Sequence, residues 1–93
     1  LKILHIEQVS AGISDAVQIQ FRDLARIALR YNSSLVVLAH NPPGGTACFS
    51  REDRTATATL KKMFAGIDIT LYDHLVIAGD MYVSMRANGG MMG

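Results

Sequence analysis

Apolar residues recur along this chain in more than one rhythm, and each rhythm predicts an element. From Phe21 to Tyr31, Phe21, Leu24, Ile27, Ala28 and Tyr31 return at helical spacing, while Arg22, Asp23, Arg26 and Arg30 fill the positions between. That pattern predicts an amphipathic helix with its basic residues towards solvent. Asn32-Ser33-Ser34 stops it. Ser34 to Ala39 follows as a continuous apolar run, the pattern of a strand covered on both faces. Earlier in the chain, Ile3 to Val9 alternates imperfectly and predicts a strand ended by the turn residues Ser10-Ala11-Gly12, and Val17 to Ile19 predicts a short strand.

The second half begins with His40-Asn41-Pro42-Pro43-Gly44-Gly45. Two prolines and two glycines forbid regular structure there, so a loop is expected. A second helix should open at Ser50, because Ser50 and Asp53 stand at N-cap and N3 spacing. Ala56, Leu60, Met63 and Phe64 mark its buried face, and Gly66 should close it. Ile67 to Tyr72 and Leu75 to Ala78 read as separate strand-like segments, Gly79-Asp80 as a turn and Met81 to Met85 as a final strand. The glycine- and methionine-rich stretch from Ala87 to Gly93 is expected to fray. Strand, helix, strand, helix, strands describes one small α/β layered domain spanning residues 1–93.

Composition narrows the field of functions. The chain has 93 residues, 49% hydrophobic and 18% charged, a globular make-up with room for one core. A formal net charge of +1 supplies no strong field for nucleic acid or an acidic membrane. The arginine face of the first helix is interrupted by Asp23 and lacks interleaved aromatics, so it reads as a solvated face. Cys48 is the only cysteine, which excludes an internal disulfide and agrees with a reducing, cytoplasmic setting. The run Leu35-Val36-Val37-Leu38-Ala39 is far too short to cross a bilayer. Because Leu1 opens directly on a strand-like run, residues are expected to be missing upstream.

The segment that carries chemistry is His40 to Asp53. A polar loop leaves the end of a buried strand, where open α/β sheets place ligands. His40 offers an imidazole nitrogen and Asp53 a carboxylate, both zinc ligands. Spacing alone is a weak metal signal, and plainer readings stand beside it, with helix capping favoured for Ser50 and Asp53. His40 can cap a strand end, Ser50 and Asp53 can cap a helix, and Asp53 suits the helix dipole in the first turn. His74 beside Asp73 reads as a structural hydrogen-bonding pair, and His5 as structural or surface.

Ala39-His40-Asn41-Pro42-Pro43-Gly44-Gly45, followed by Ser50-Arg51-Glu52-Asp53, resembles the RadC version of the JAMM (MPN, JAB) motif, A-H-N-H-P-S-G and then P-S-x-x-D. Glu7 to Gly12 resembles the family's E-x-V-S-x-G turn, Phe21-Arg22-Asp23-Leu24 its P-R-E-I helix start, Asp73 to Ile77 its D-H-L-I-I strand, and Tyr82-Val83-Ser84 its Y-x-S strand. The resemblance implies a three-layer α/β fold of the cytidine-deaminase-like kind, a mixed sheet with flanking helices. Here the domain would lack its N-terminal strand region. It also implies a zinc site. His40 matches the first zinc histidine, Asp53 the zinc aspartate, and Ser50 the serine that in active members helps stabilise the oxyanion of the tetrahedral intermediate. Pro42 falls on the second zinc histidine, Gly44 on a serine, and Phe49 on the proline before Ser50. The family's general-base glutamate is expected upstream, and Glu7 does not match it by position.

A catalytic zinc ordinarily has three protein ligands and an open water position, where it lowers the pKa of bound water to about 7. Proline has no side-chain donor, so the expectation is weak or absent zinc. Cys48 is a conceivable replacement ligand. Two functional readings follow: an inactive RadC-family domain that serves as a scaffold or interaction module with a protein partner, or a zinc-dependent hydrolase of peptide or isopeptide bonds completed by groups outside this motif. The family's association with DNA repair finds no direct nucleic-acid signal in these residues.

Overall fold

The computed structural model describes residues 17–42 and 44–91. The expected strand at Ile3 to Val9, its turn, His5 and Glu7 lie outside the described residues. The elements run α1 (Val17–Arg30), β1 (Leu35–His40), α2 (Arg51–Ala65), β2 (Thr70–Ala78) and β3 (Met81–Ser84). They build an α/β unit with a mixed three-stranded sheet in the order β1-β2-β3. β1 and β2 are parallel, with α2 in the connection between them, and β2 and β3 form an antiparallel hairpin over Gly79-Asp80. Gly79 takes φ +63 in that turn, a region glycine enters without a Cβ clash.

The helices and the sheet share one core. Ala25 and Ala28 of α1, Leu60 and Phe64 of α2, Ile69, Leu71 of β2, Met85 and Met91 are buried together, with Phe21, Leu24, Val36 and Leu38 packed against them. The rings of Phe21 and Phe64 meet edge to face, with centroids 5.0 Å apart, and pin α1 to α2. Among the described residues both helices therefore cover the same face of the sheet. The basic side chains of α1 are exposed, as its pattern predicts.

Several boundaries differ from the sequence expectation. Val17 to Ile19 is not a strand but the first turn of α1. The β preference of Val and Ile is weak and does not prevent a helical turn. β1 is not covered on both faces: Leu35 and Val37 stay 36% and 46% exposed, while Val36 and Leu38 turn to the helices. The two segments expected on either side of Asp73-His74 are one strand. Gly66 does cap α2, as expected, but in a right-handed conformation at φ −64. The left-handed residue is Asp68 at φ 60, beyond which Ile69 N–H reaches back to Phe64 C=O at 2.9 Å. Finally, the chain beyond Ala87 is held at least to Met91, because Gly90 N–H bonds Met85 C=O at 2.8 Å and Met91 is buried.

One irregularity sets up the site. Val36 pairs with Leu71 but Val37 pairs with Asp73, so Tyr72 is an extra residue in the parallel ladder. Beyond this bulge the side-chain alternation changes phase, and Asp73 and His74 are both buried.

Candidate functional site

The site lies at the C-terminal end of β1 and the N-terminal end of α2, with β2 alongside. β1 delivers His40 as its last residue. α2 delivers Asp53 in its first turn through a capping box: Asp53 N–H donates to Ser50 Oγ at 3.0 Å, and Ser50 N–H donates to Asp53 Oδ2 at 2.9 Å. The loop between them is tied back to the sheet by Asn41, whose side-chain amide donates to Ile77 C=O at 2.8 Å. Pro42 accepts from Gly45 N–H at 3.2 Å, and Gly45 closes that turn at φ +74.

The sequence-predicted residues do come together. His40 Nε2 stands 3.8 Å from Asp53 Oδ2, beyond hydrogen-bond reach but within ion-pair distance. Ser50 is joined to them through the cap. Cys48, the conceivable replacement ligand, is exposed. The cleft beside α1, lined by Leu24, Ile27, Tyr31 and most of β1, includes none of His40, Ser50 and Asp53.

Sequence reasoning missed two members of the site. His74 does not pair through its imidazole with Asp73. The Asp73 carboxylate instead accepts from the backbone N–H groups of His74 and Arg86 and from the Ser84 hydroxyl, at 2.7, 2.9 and 2.6 Å, a closed structural knot. The His74 ring points at the site. Its Nε2 lies 2.8 Å from His40 Nδ1, and its Nδ1 lies 2.7 Å from the hydroxyl of Thr57 on α2. Thr57 Oγ1 also donates to Asp53 C=O at 2.7 Å. The signal that could have found His74 was its place in the stretch Asp73 to Ile77, and for Thr57 its place one turn after Asp53. Phe49 closes the assembly, with its ring 5.5 Å from that of His74 and 6.5 Å from that of His40.

Burial governs the chemistry of this cluster. The His74 pKa is lowered from 6.5 to about 4, chiefly because burial penalises the charged ring and secondarily because His40 lies beside it. Asp53 and Asp73 pull in the other direction and are outweighed. His74 is therefore a neutral imidazole at neutral pH.

The donor set fits only part of a zinc centre. His40 Nε2 and Asp53 Oδ2 face each other, whereas position 42 is a proline with no donor atom. His74 does not fill the gap, because His40 meets it through Nδ1 and meets Asp53 through Nε2, on different edges of the ring. Among the described residues, no three His, Cys, Asp or Glu groups converge on one point in the manner of a metal site.

Known proteins match this chain along nearly all of its length. The RadC-like JAB domain matches residues 1–91. A UPF0758 protein of Bordetella bronchiseptica is 40% identical over 89 residues, which are 96% of this chain and 40% of that protein. A UPF0758 protein of Aeromonas hydrophila is 36% identical over 88 residues, 95% of this chain and 39% of its own length. One of Thioalkalivibrio sulfidiphilus is 35% identical over 88 residues, with the same coverage of 95% and 39%. The chain thus spans about 40% of the length of the curated relatives it matches.

Proposed function

The chain belongs to the RadC-like JAB domain family, and from that premise we propose that it is a member with an incomplete zinc site, acting as a scaffold or interaction module for a protein partner rather than as a hydrolase. The observation that carries this reading is Pro42. It stands in sequence where the family motif has its second metal histidine, while the two donors that remain, His40 Nε2 and Asp53 Oδ2, lie 3.8 Å apart. A metal held by two protein groups leaves the shell one protein ligand short of an ordinary catalytic zinc site. Phe49 adds to the case. Its ring lies against both imidazoles, and it stands where the family motif has proline.

An interaction role is supported by what the sheet presents. Met81 and Tyr82 on β3 are 65% and 67% exposed, and Leu35 and Val37 add apolar surface on β1. Met81 and Tyr82 leave large apolar side chains on the β2-β3 hairpin, and Leu35 and Val37 do so on the opposite edge strand, places where a protein partner would cover apolar area. Among the described residues no helix is long and apolar enough to cross a membrane.

The test is the metal content of the purified protein, read by inductively coupled plasma analysis after dialysis against a mild chelator. Zinc well below one per chain is the expected result. Stoichiometric zinc, together with cleavage of a peptide or isopeptide substrate, would establish the hydrolase reading instead.

A further inference from the structure

His40 and His74 lie in a hydrogen-bonded chain whose proton positions can be worked out. Asp53 C=O can only accept, so its 2.7 Å contact with Thr57 Oγ1 requires the hydroxyl proton. A hydroxyl has one proton. Thr57 Oγ1 must then accept at its second contact, the 2.7 Å approach of His74 Nδ1, which places N–H on that nitrogen. Neutral His74 therefore has a bare Nε2. The 2.8 Å contact with His40 Nδ1 is a hydrogen bond only if His40 donates. With its proton on Nδ1, neutral His40 keeps a lone pair on Nε2, the nitrogen that faces Asp53 Oδ2 at 3.8 Å.

The reverse chain has a definite cost. If Thr57 donated to His74 instead, two bare oxygens, Thr57 Oγ1 and Asp53 O, would sit 2.7 Å apart. Thr57 and His74 are only 1% and 5% exposed, so water does not relieve that repulsion. Its return would be a His40 N–H aimed at a carboxylate 3.8 Å away, too far for a hydrogen bond.

From this chain of contacts we infer that His74 is a positioning residue, which fixes His40 as the Nδ1–H tautomer and keeps its Nε2 as a lone-pair donor directed at Asp53. Metal-binding histidines generally donate their second ring N–H to a fixed partner, which sets the tautomer and the ring orientation. Here that partner is another imidazole, anchored in turn on α2 by Thr57.

The tautomer is read directly by nitrogen-15 NMR of the imidazoles in the unaltered protein near pH 7. The expected spectrum has N–H on Nδ1 of both rings and a bare Nε2 on each, with a scalar coupling across the bond from His40 Nδ1 to His74 Nε2. A proton on His40 Nε2 would overturn the inference. His74→Phe keeps a flat ring but removes the acceptor, and it should release His40 to the Nε2–H tautomer. If that variant fails to fold, the spectrum of the unaltered protein still decides. A second arm rests on the reading of the site given above. In a Pro42→His background, adding His74→Phe should weaken zinc binding by about 10- to 100-fold. Equal affinity with and without His74 would show that it positions nothing of consequence for the metal. No zinc binding by Pro42→His itself would count against the reading of the site and leave the tautomer assignment standing on its own spectrum.

Discussion

Ser50 and Asp53 bond each other twice, and the Asp53 oxygen that holds the Ser50 N–H is the one that faces His40. The capping of a helix and the aim of a candidate ligand are therefore one geometry. Ser50→Ala removes the hydroxyl that accepts from Asp53 N–H and should cost about 1 kcal/mol. For a domain of this size that lowers the melting temperature by about 4–8 °C. A melt unchanged within a degree would mean that the cap contributes nothing to stability.

Pro42→His should create zinc affinity. The new imidazole stands two residues from His40 and can join His40 and Asp53 in a three-ligand site. Because the metal binds the folded state, zinc should raise the melting temperature of this variant and leave that of the parent almost unchanged. Calorimetric titration checks the same point, and negligible affinity in both proteins would show that the loop cannot close around a metal.

Stability should fall as the solution is acidified through the range set by His74. Its folded pKa of about 4 lies below the unfolded value of 6.5, so the unfolded chain binds the extra proton first. The contribution is fully present above pH 6.5. It declines between pH 6.5 and 4 and is gone below, a total of about 3 kcal/mol for a buried ring shifted this far. Denaturant midpoints measured across that range test it against His74→Phe, which should lose this part of the slope. An identical slope in the variant would remove His74 as its source.

Asp68 holds a left-handed backbone, φ 60, at the end of α2. A side chain there crowds the backbone, and glycine does not. Asp68→Gly should relieve about 1–2 kcal/mol of crowding at an entropic cost of about 0.5–1 kcal/mol, a net stabilisation of about 0.5–1 kcal/mol. A lower denaturation midpoint in urea would show that the aspartate stabilises this turn in some way that outweighs the crowding.

The parts of this molecule that could be read from its sequence are those fixed by near neighbours. Ser50, Asp53 and the apolar positions Ala56, Leu60 and Phe64 define α2 within a few turns, and the structure places them as the spacing predicts. The prolines and glycines after His40 gave the loop for the same reason. His74 does bond Asp73, through its backbone N–H, but the direction of its ring is not legible in the sequence because the ring's partners lie 34 and 17 residues away. Nothing adjacent to it distinguishes a ring bonded to Asp73 from one turned towards His40. The continuity of β2 is hidden in the sequence because Asp73-His74 interrupts its apolar pattern, and the charge is accommodated by donors from Ser84 and Arg86 on the far side of the hairpin. The half-exposed face of β1 is not legible in its sequence, because an apolar run states how hydrophobic a strand is without stating which neighbours reach it.

Tyr72 carries a consequence that concerns counting rather than chemistry. In an unbroken strand, odd- and even-numbered side chains take opposite sides. Leu71 and His74 differ in parity yet face the same helices, pairing with Val36 and Leu38. The two ends of β2 are thus out of step by one, and Tyr72 absorbs the difference. Shortening the strand by that single residue would force one end to turn over, expelling either Leu71 from the core or His74 from beside His40. The position of the imidazole is recorded in the number of residues that precede it, so a one-residue change of length could erase the site while leaving every side chain that forms it intact.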